Sequence, residues 1–403
     1  MKVRAFLLAA RLLPVLLSLH VSANENHVIK VATFNVSMEA TNYKALGFKP
    51  SEDVLQHVLA DGNHQQVKNI AEIIQRVNPD VLLLNEFDYV ADKSKGIDAF
   101  VKNYLNVSQQ GLTPVDYPYS FVAPVNTGEP TEFDLDNNGK AEGVGGDAYG
   151  YGLYPGQYGM ALLSKFPIDV ENIRTFQQFK WHHMPHPQIP IIPNNSGSTE
   201  QGTPWYSVDE WAALRLSSKS HWDVPVKVGE KTVHILAMHP TPPNFDGEED
   251  RNGKRNFDEI RLMADYLSPE KGGYIYDDRG EKASLTNDTR FVLVGDFNAA
   301  DIGDKYREGV IEQLTEHELV NNTVIPTSAG GAGSSSAKYS NRFTAYWGAR
   351  ADYVLPSQYG FDVKSAGVFW PAKTSRLYRL VKSREASSDH RLVWVSLSLN
   401  EAR

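Results

Sequence analysis

Short apolar runs recur along the chain, and many of them lead directly into a polar side chain. About four to eight consecutive apolar residues are typical of a strand buried on both faces, whereas apolar residues three and four apart predict an amphipathic helix. These patterns predict strands at 31–35, 81–84, 117–122, 158–164, 211–222, 233–238, 290–297, 351–355 and 390–397, and helices at 67–77, 257–267 and 303–316. Helices that alternate with strands indicate an α/β fold.

The run at 290–297 carries the first candidate chemistry. Gly295 interrupts it, and Asp296 and Asn298 follow two residues apart. In an extended chain this spacing places Asp296 and Asn298 on one side and Phe297 on the other, so Phe297 would anchor in the core. Two oxygen-bearing side chains at a strand end suit a phosphate, a divalent metal ion or an attacking water. A strand followed by an Asp/Asn turn is the structural alternative.

Polar side chains mark the ends of four more runs. The run at 31–35 ends in Asn35, the run at 81–84 leads to Glu86, and the run at 233–238 leads to His239. Asp389 and His390 precede the last run. Turn chemistry alone does not account for five strands that end in this way.

The strings Gly-Asp-Phe-Asn at 295–298 and Ser-Asp-His at 388–390, in this order, resemble the endonuclease/exonuclease/phosphatase superfamily. The resemblance extends from about residue 28 onward, and His239 is similar to a histidine of the branch that contains deoxyribonucleases and sphingomyelinases. It implies two mixed β-sheets packed face to face with outer helices, a four-layer sandwich. Asn85 departs from the family pattern, in which glutamine usually precedes the acid. A doubly wound single sheet is the alternative fold, but no glycine-rich phosphate loop favours it.

The resemblance also implies a hydrolase in which water attacks a phosphate ester in line, assisted by Mg²⁺ or Mn²⁺. In this pattern Glu86 holds the metal ion, and Asn35 and Asp389 complete or support its ligand shell. Carboxylate and amide oxygens are the ligands that such hard cations prefer. The ion would neutralise charge that develops on the phosphate.

Five residues would then carry the reaction. By the same resemblance, Asp296 and Asn298 position the attacking water and the phosphate oxygens, while Asp352 orients His390. His239 acts as the complementary acid or base near the leaving group. The sequence leaves open which histidine is the acid.

Two further residues are candidate substrate contacts. Tyr158 begins the run at 158–164, where the family has an aromatic or polar residue near the substrate. Arg215 suits a phosphate contact, but it equally suits a side chain that extends from a sheet to the surface.

Residues 134–139 contain the first half of a calcium-binding loop pattern. Asp134, Asp136 and Asn138 alternate before Gly139, as in an EF-hand loop. The last position of that loop falls on Gly145, which offers no side-chain ligand, so a complete EF-hand is excluded. A Ca²⁺ site of another kind and a plain Asx turn both remain open.

The first 23 residues have the pattern of a secretory signal peptide. Lys2 and Arg4 precede an apolar run, and Val21-Ser-Ala23 has the small residues of a cleavage site. Arg11 interrupts the run, which is also too short to span a bilayer, so we expect no stable membrane span. The remaining residues, 24–403, are expected to form a single domain with loop insertions near 126–157, 176–205 and 326–341.

Composition narrows the cellular setting. The chain contains no cysteine, which excludes disulfides, thiolate metal sites and a cysteine nucleophile. In an exported protein this favours a bacterial periplasm or exterior. Removal of the three basic residues in 1–23 would take the formal net charge from −9 to −12. An acidic protein is poorly suited to general electrostatic capture of nucleic acid.

The substrate is the least determined property, because the superfamily cleaves DNA, RNA, phospholipid head groups and small esters with one catalytic core. Net acidity and the acidic segment 129–147 disfavour a polynucleotide. A nuclease is favoured by His239 and by basic residues that are candidates to line a groove: Arg215, Lys219, Lys338, Arg342 and Arg350. We expect an exported phosphoesterase, with a nuclease as the first alternative and a non-catalytic binding scaffold as the second. The sequence does not indicate an oligomeric state.

Overall fold

The computed structural model describes residues 28–194 and 202–400, so the expected signal peptide lies outside the described residues. The described strands are β1 (Val28–Met38), β2 (Val81–Phe87), β3 (Tyr119–Phe121), β4 (Met160–Ser164), β5 (Arg174–Thr175), β6 (Ile191–Ile192), β7 (Thr203–Pro204), β8 (His221–Val228), β9 (Lys231–Met238), β10 (Phe291–Asp296), β11 (Asp352–Pro356), β12 (Phe361–Val368) and β13 (Val393–Leu399). The described α-helices are α1 (Val54–Ala60), α2 (Gln65–Val77), α3 (Ile97–Phe100), α4 (Val208–Ala213), α5 (Arg251–Leu267), α6 (Glu312–Thr315) and α7 (Ala329–Ala332). A π-helical turn covers Val101–Leu105, and short 3₁₀ helices cover Ala40–Leu46, Val170–Asn172, Trp181–His183, Gly272–Tyr274, Ser340–Arg342 and Arg376–Leu380.

Two mixed sheets form the centre of the fold. The first has the strand order β12-β13-β1-β2-β4-β3, and the second has the order β11-β10-β9-β8-β5. The neighbours β1 and β2 are parallel, as are β9 and β10, whereas the other pairs in these sheets are antiparallel. The predicted pair of mixed sheets is therefore confirmed, and the doubly wound single sheet is wrong.

Strand β10 shows how the layers pack. Val292 and Val294 belong to the core cluster that also contains the first sheet, whereas Phe291 and Leu293 pack in the cluster that contains α5. Successive side chains of a strand point to opposite faces. The uninterrupted apolar run of β10 is thus explained by burial on both sides, between the first sheet and an outer helix.

Two of the three predicted helices, at 67–77 and 257–267, are confirmed. Helix α2 buries Ile70 and Ile74 in the core cluster of the first sheet. It ends at Asn78, which caps it in the left-handed conformation before Pro79. Helix α5 buries Ile260 and Met263 in the core cluster of the second sheet, on the outer side of the sandwich.

Two sequence predictions differ from the structure, and the edge strand β12 was missed. The strand predicted at 211–222 instead covers the end of α4, an irregular segment at 214–220 and the start of β8. Ser207 and Glu210 form a capping box that starts α4 before this stretch. The helix predicted at 303–316 is reduced to the single turn α6. Strand β12 was not predicted, because it is an edge strand whose central residues are largely exposed.

Across the described residues, no helix is both long enough and apolar enough to cross a membrane.

Candidate active site

The ends of strands from both sheets meet at one edge of the sandwich. Asn35 in β1 donates from Nδ2 to Asp296 Oδ2 at the end of β10, at 3.1 Å. Beside it, Asn85 in β2 accepts from the backbone N–H of Asp296 at 3.3 Å. These two buried amides connect the first sheet directly to the candidate catalytic strand of the second.

Gly295 allows β10 to approach β9 closely at this edge. Its φ is +150°, and a Cβ atom there would lie 2.0 Å from the carbonyl oxygen of Met238. Only glycine fits such an approach. The approach places Asp296 beside His239, which directly follows β9, with His239 Nε2 3.5 Å from Asp296 Oδ2.

Phe297 anchors the end of β10, as the sequence predicts. It is fully buried and stacks on Tyr353 of β11, with ring centroids 5.1 Å apart and planes 11° apart. Asn298 follows in the left-handed conformation, with φ of 51°. Its backbone N–H donates to Asp296 Oδ1 at 3.0 Å and its side chain donates to the carbonyl of Pro240, so it holds Asp296 in place.

The three candidate metal ligands lie on β1, on β2 and in the loop before β13. Glu86 adopts a left-handed φ of 53°, and β1 contains a register shift opposite it, between Asn35 and Met38. Such irregularities re-aim side chains near active sites. Ser37, within the shift, donates to Asp389 Oδ1 at 2.8 Å and so helps to position this acid.

The environment of Glu86 fits a hard cation. The pKa of Glu86 is raised to about 7, mainly by burial and also by the nearby Asp389 carboxylate, although Arg384 and the Asn35 amide oppose the shift. Glu86 Oε2 is buried and has no hydrogen-bond partner among the described residues. A buried oxygen in this state is costly unless something pairs with it. Glu86 and Asp389 offer carboxylate oxygens, which suit a divalent metal ion. The oxygen of Asn35 accepts from the backbone N–H of Ser37 at 3.2 Å, so in this structure Asn35 supports the acids through Nδ2.

Two carboxylates lie directly opposite each other on neighbouring strands of the second sheet. Asp296 in β10 pairs in register with Asp352 in β11. Like charges in this position destabilise a sheet. His390 separates them, with Nδ1 2.9 Å from Asp352 Oδ2 and Nε2 3.6 Å from Asp296 Oδ2. Thr344 also donates to Asp352, at 2.6 Å, and this fixes the carboxylate that orients the imidazole.

The charge states of this group follow from its geometry. Burial disfavours the His390 cation, but the carboxylates of Asp352 and Asp296 outweigh burial and hold the pKa of His390 well above its usual value. Burial alone would raise the pKa of Asp296, yet the His390 charge and the His239 hydrogen bond hold it well below its usual range. Burial raises the pKa of Asp352 to about 6. The group therefore contains a protonated imidazole beside an ionised Asp296.

His239 has the opposite character. The pKa of His239 is lowered to about 4, mainly by burial and also by the positive charge of Lys219, although Asp296 opposes both effects. Its Nδ1 is buried without a hydrogen-bond partner among the described residues. His239 is thus a neutral imidazole at physiological pH, while His390 is a cation.

Of the two candidate substrate contacts, Tyr158 lies near Glu86, whereas Arg215 is held by Asn126 and Tyr149. Tyr158 is half-buried, and its pKa is raised by burial and by the charges of Glu39 and Glu86, so its hydroxyl lies near the candidate metal ligands. Arg215 donates to Asn126 at 2.7 Å and stacks on the ring of Tyr149 at 4.0 Å.

The possible calcium loop also forms a cluster. Carboxylate oxygens of Asp134, Asp136 and Asp147 lie within 4.8 Å of one another. Asp147, two residues beyond the expected last position, supplies the acid that Gly145 does not. Backbone N–H groups of the loop, including those of Asn138 and Gly139, donate to these carboxylates. Calcium binding here stays a prediction.

Several residues at this edge were not assigned a role from the sequence. Thr344 and Arg384 belong to irregular segments, and nothing in their local pattern marks them. Trp347 stands edge-on to His390, with ring centroids 6.0 Å apart. Lys219, named above only as a groove residue, is buried and interacts electrostatically with Glu86, Asp296 and His239. These residues are separated in the chain, and the fold alone brings them to the site.

Comparison with known proteins identifies the class. Residues 32–390 match the Endonuclease/Exonuclease/phosphatase family, which covers most of the chain. The chain belongs to this family. It is accordingly a phosphoric ester hydrolase that depends on a divalent metal ion. No curated protein matches the chain in sequence.

Solved structures with a similar fold have low sequence identity. An endonuclease/exonuclease/phosphatase from Beutenbergia cavernae is 17% identical with a TM-score of 0.45, over 93% of this chain and 72% of that one. Sphingomyelinase C from Streptomyces griseocarneus is 14% identical with a TM-score of 0.47, over 92% and 99%. Beta toxin from Staphylococcus aureus, in a variant with bound magnesium ions, is 12% identical with a TM-score of 0.44, over 93% and 100%.

Proposed function

We propose that the protein is an exported phosphoesterase that uses Mg²⁺ or Mn²⁺ to hydrolyse phosphate esters by in-line attack of water. One observation carries this proposal: the side chain of Asn35 interacts both with a candidate metal ligand and with a candidate acid–base group. Asn35 donates to Asp296 and also lowers the pKa of Glu86. A phosphate at this edge would contact both groups at once.

Glu86 and Asp389 would hold the ion, and Asn35 would support them. When bound, the ion would neutralise negative charge on the phosphate and leaving oxygens. Asp296, which stays ionised, would accept a hydrogen bond from the attacking water and orient it. Asn298 would support this role by fixing Asp296 Oδ1.

The charge states suggest a division of labour between the histidines. His239 is neutral and its Nε2–H donates to Asp296, so it would hold this carboxylate in place while Asp296 takes the proton from the water. His390 is protonated, so it would donate from Nε2 to the leaving oxygen, while Asp352 holds its Nδ1–H. Positioned acid and base groups of this kind typically contribute roughly a hundred- to ten-thousandfold to the rate.

For the substrate, we favour small phosphate esters outside the cytoplasm. Arg342 and Arg350 both pair with Asp301, at 3.2 and 3.0 Å. Arg215 is held by Asn126 and Tyr149. Three of the basic residues considered for a nucleic-acid groove therefore already have partners within the protein. The negative net charge of the chain also disfavours binding of nucleic acid.

A nuclease is the second candidate, favoured by the two-histidine arrangement. The purified protein should be assayed with Mg²⁺, Mn²⁺ or Ca²⁺ on p-nitrophenyl phosphate, bis-p-nitrophenyl phosphate, sphingomyelin, RNA and plasmid DNA. We expect turnover of the small esters to exceed that of the polymers. Rapid plasmid cleavage that falls steeply as salt rises would instead identify a nuclease. Absence of hydrolysis on every substrate would favour a binding scaffold.

A further inference from the structure

Arg384 stands between the two acids that we assign to the metal ion. Its guanidinium lies 3.3 Å from Asp389 Oδ2 through Nη1 and 3.7 Å from Glu86 Oε2 through Nη2. Glu86 belongs to β2, and Asp389 lies in the loop before β13, so the two acids flank β1. One cation of the chain thus bridges two separate parts of the candidate metal site.

Both contacts of Arg384 are longer than those in the two arginine pairs with the buried carboxylates of Glu72 and Asp277. Arg379 approaches Glu72 at 2.6 Å, and the Nε of Arg174 lies 3.0 Å from Asp277. Arg384 reaches Glu86 only at 3.7 Å, and its Nε is buried without a hydrogen-bond partner among the described residues. Its side chain is 39% exposed. One hydrogen bond, from Nη1 to Asp389 at 3.3 Å, holds it, and the side chain is accessible to a ligand in the cleft.

Charge balance indicates what this ligand is. With both acids ionised, as metal binding requires, Glu86, Asp389 and Arg384 together carry one net negative charge, and a divalent ion on the two acids would change it to one net positive charge. The guanidinium would then lack its anionic partners and require a new one. Its planar fork of N–H donors matches the oxygens of a phosphate group.

We propose that Arg384 is a phosphate-binding residue, which bridges Glu86 and Asp389 without metal and binds the phosphate group of the substrate once a divalent ion occupies these acids. This inference rests on the proposed function of the site. If Arg384 has this role, it lowers the affinity of the site for the metal ion and raises its affinity for phosphate. Arg384 competes with the metal ion for the acids, and it assists the binding of phosphate. A residue with a merely structural role would not produce this pair of effects.

The test uses the full-length protein and binding measurements that do not require turnover. Arg384→Gln removes the charge, Arg384→Lys keeps it without the fork, and Arg376→Gln is the matched control, because Arg376 is exposed in the preceding 3₁₀ helix. Isothermal titration calorimetry would give the Mn²⁺ affinity without phosphate, and then the affinity of the Mn²⁺-loaded protein for inorganic phosphate. Circular dichroism would confirm that each variant is folded.

We expect Arg384→Gln to bind Mn²⁺ more tightly than the unmodified protein. The same variant should bind phosphate roughly ten- to a hundredfold more weakly, the range for one charged hydrogen bond. Arg384→Lys should lose less phosphate affinity, and Arg376→Gln should lose none. Unchanged phosphate affinity in folded Arg384→Gln would overturn the inference, and so would weaker binding of both ligands.

The outcome is separable from that of the proposed function. Phosphate binding that depends on Arg384, in a protein that hydrolyses no ester, would support this inference and reject the enzyme. If the unmodified protein hydrolyses esters and Arg384→Gln keeps normal phosphate affinity, the proposed function would be supported and this inference rejected.

Discussion

Replacement of Asp352 by asparagine tests the core of the acid–base arrangement. Asp352 is fully buried, and its Oδ2 lies 2.9 Å from His390 Nδ1. Asparagine has nearly the same shape and can still accept a hydrogen bond from this nitrogen. The substitution therefore removes the negative charge beside His390 while it preserves most of the packing.

The expected effect follows from the geometry. Two unit charges 2.9 Å apart interact by about 6 kcal/mol at an effective dielectric constant of about 20. Asp296, 3.6 Å from His390 Nε2, continues to support the cation, and the asparagine retains a hydrogen bond. If about half of the interaction is lost, the pKa of His390 falls by roughly two units. A smaller fraction of His390 would then carry the proton that it donates, and turnover above both pKa values should fall by up to roughly a hundredfold.

The assay compares pH–rate profiles on bis-p-nitrophenyl phosphate with NMR titration of the His390 ring. In the variant, the alkaline limb of the profile and the ring titration should both move to lower pH. Asp277→Asn is the control, because Asp277 is equally buried and pairs with Arg174 at 3.0 Å, beside the opposite edge strand β5. It should lose stability but keep turnover. A folded Asp352→Asn variant with near-normal turnover and an unshifted His390 would refute the reasoning.

Three other predictions follow from the described contacts. Asp296→Asn and His390→Ala should each lose at least about a hundredfold in turnover on the same ester, and a near-normal rate in either folded variant would remove it from the mechanism. His221, buried with its pKa lowered to about 4, is protonated in the unfolded chain before the folded one as pH falls. The stability advantage of the unmodified protein over His221→Gln in urea should therefore shrink by roughly 3 kcal/mol between pH 7 and 4, and a constant difference would contradict this. If the loop binds calcium, Ca²⁺ should raise the Tm of the unmodified protein without changing turnover, and Asp147→Asn should abolish the rise; an equal rise in the variant would exclude the loop.

The sequence predicts the parts of this protein that depend on local pattern. The apolar run of β10, the helices α2 and α5, and the anchored Phe297 follow from periodicity and spacing. The two-sheet arrangement was implied by the family resemblance, and the structure confirms this arrangement. Strand β12 escaped prediction because an exposed edge strand lacks the apolar alternation that a buried strand needs.

The assembly of the site depends on contacts that no local pattern encodes. Residues 35 and 296 are hydrogen-bonded although 261 positions separate them. Asp352 could be paired with His390 from the resemblance, but its position directly opposite Asp296 depends on the register of β10 and β11. The place of Arg384 between two acids likewise arises from the loop before β13, where sequence periodicity gives no information.

Metal-dependent hydrolysis at Glu86 is the central claim, and one measurement tests it most directly. The rate on bis-p-nitrophenyl phosphate should be measured for the unmodified protein and for Glu86→Gln, before and after EDTA treatment and again across a Mn²⁺ or Mg²⁺ titration. We predict that EDTA abolishes hydrolysis, that added metal restores it in the unmodified protein, and that Glu86→Gln recovers little activity at the same metal concentrations. Hydrolysis that survives EDTA, or equal restoration of a folded Glu86→Gln variant, would contradict the account.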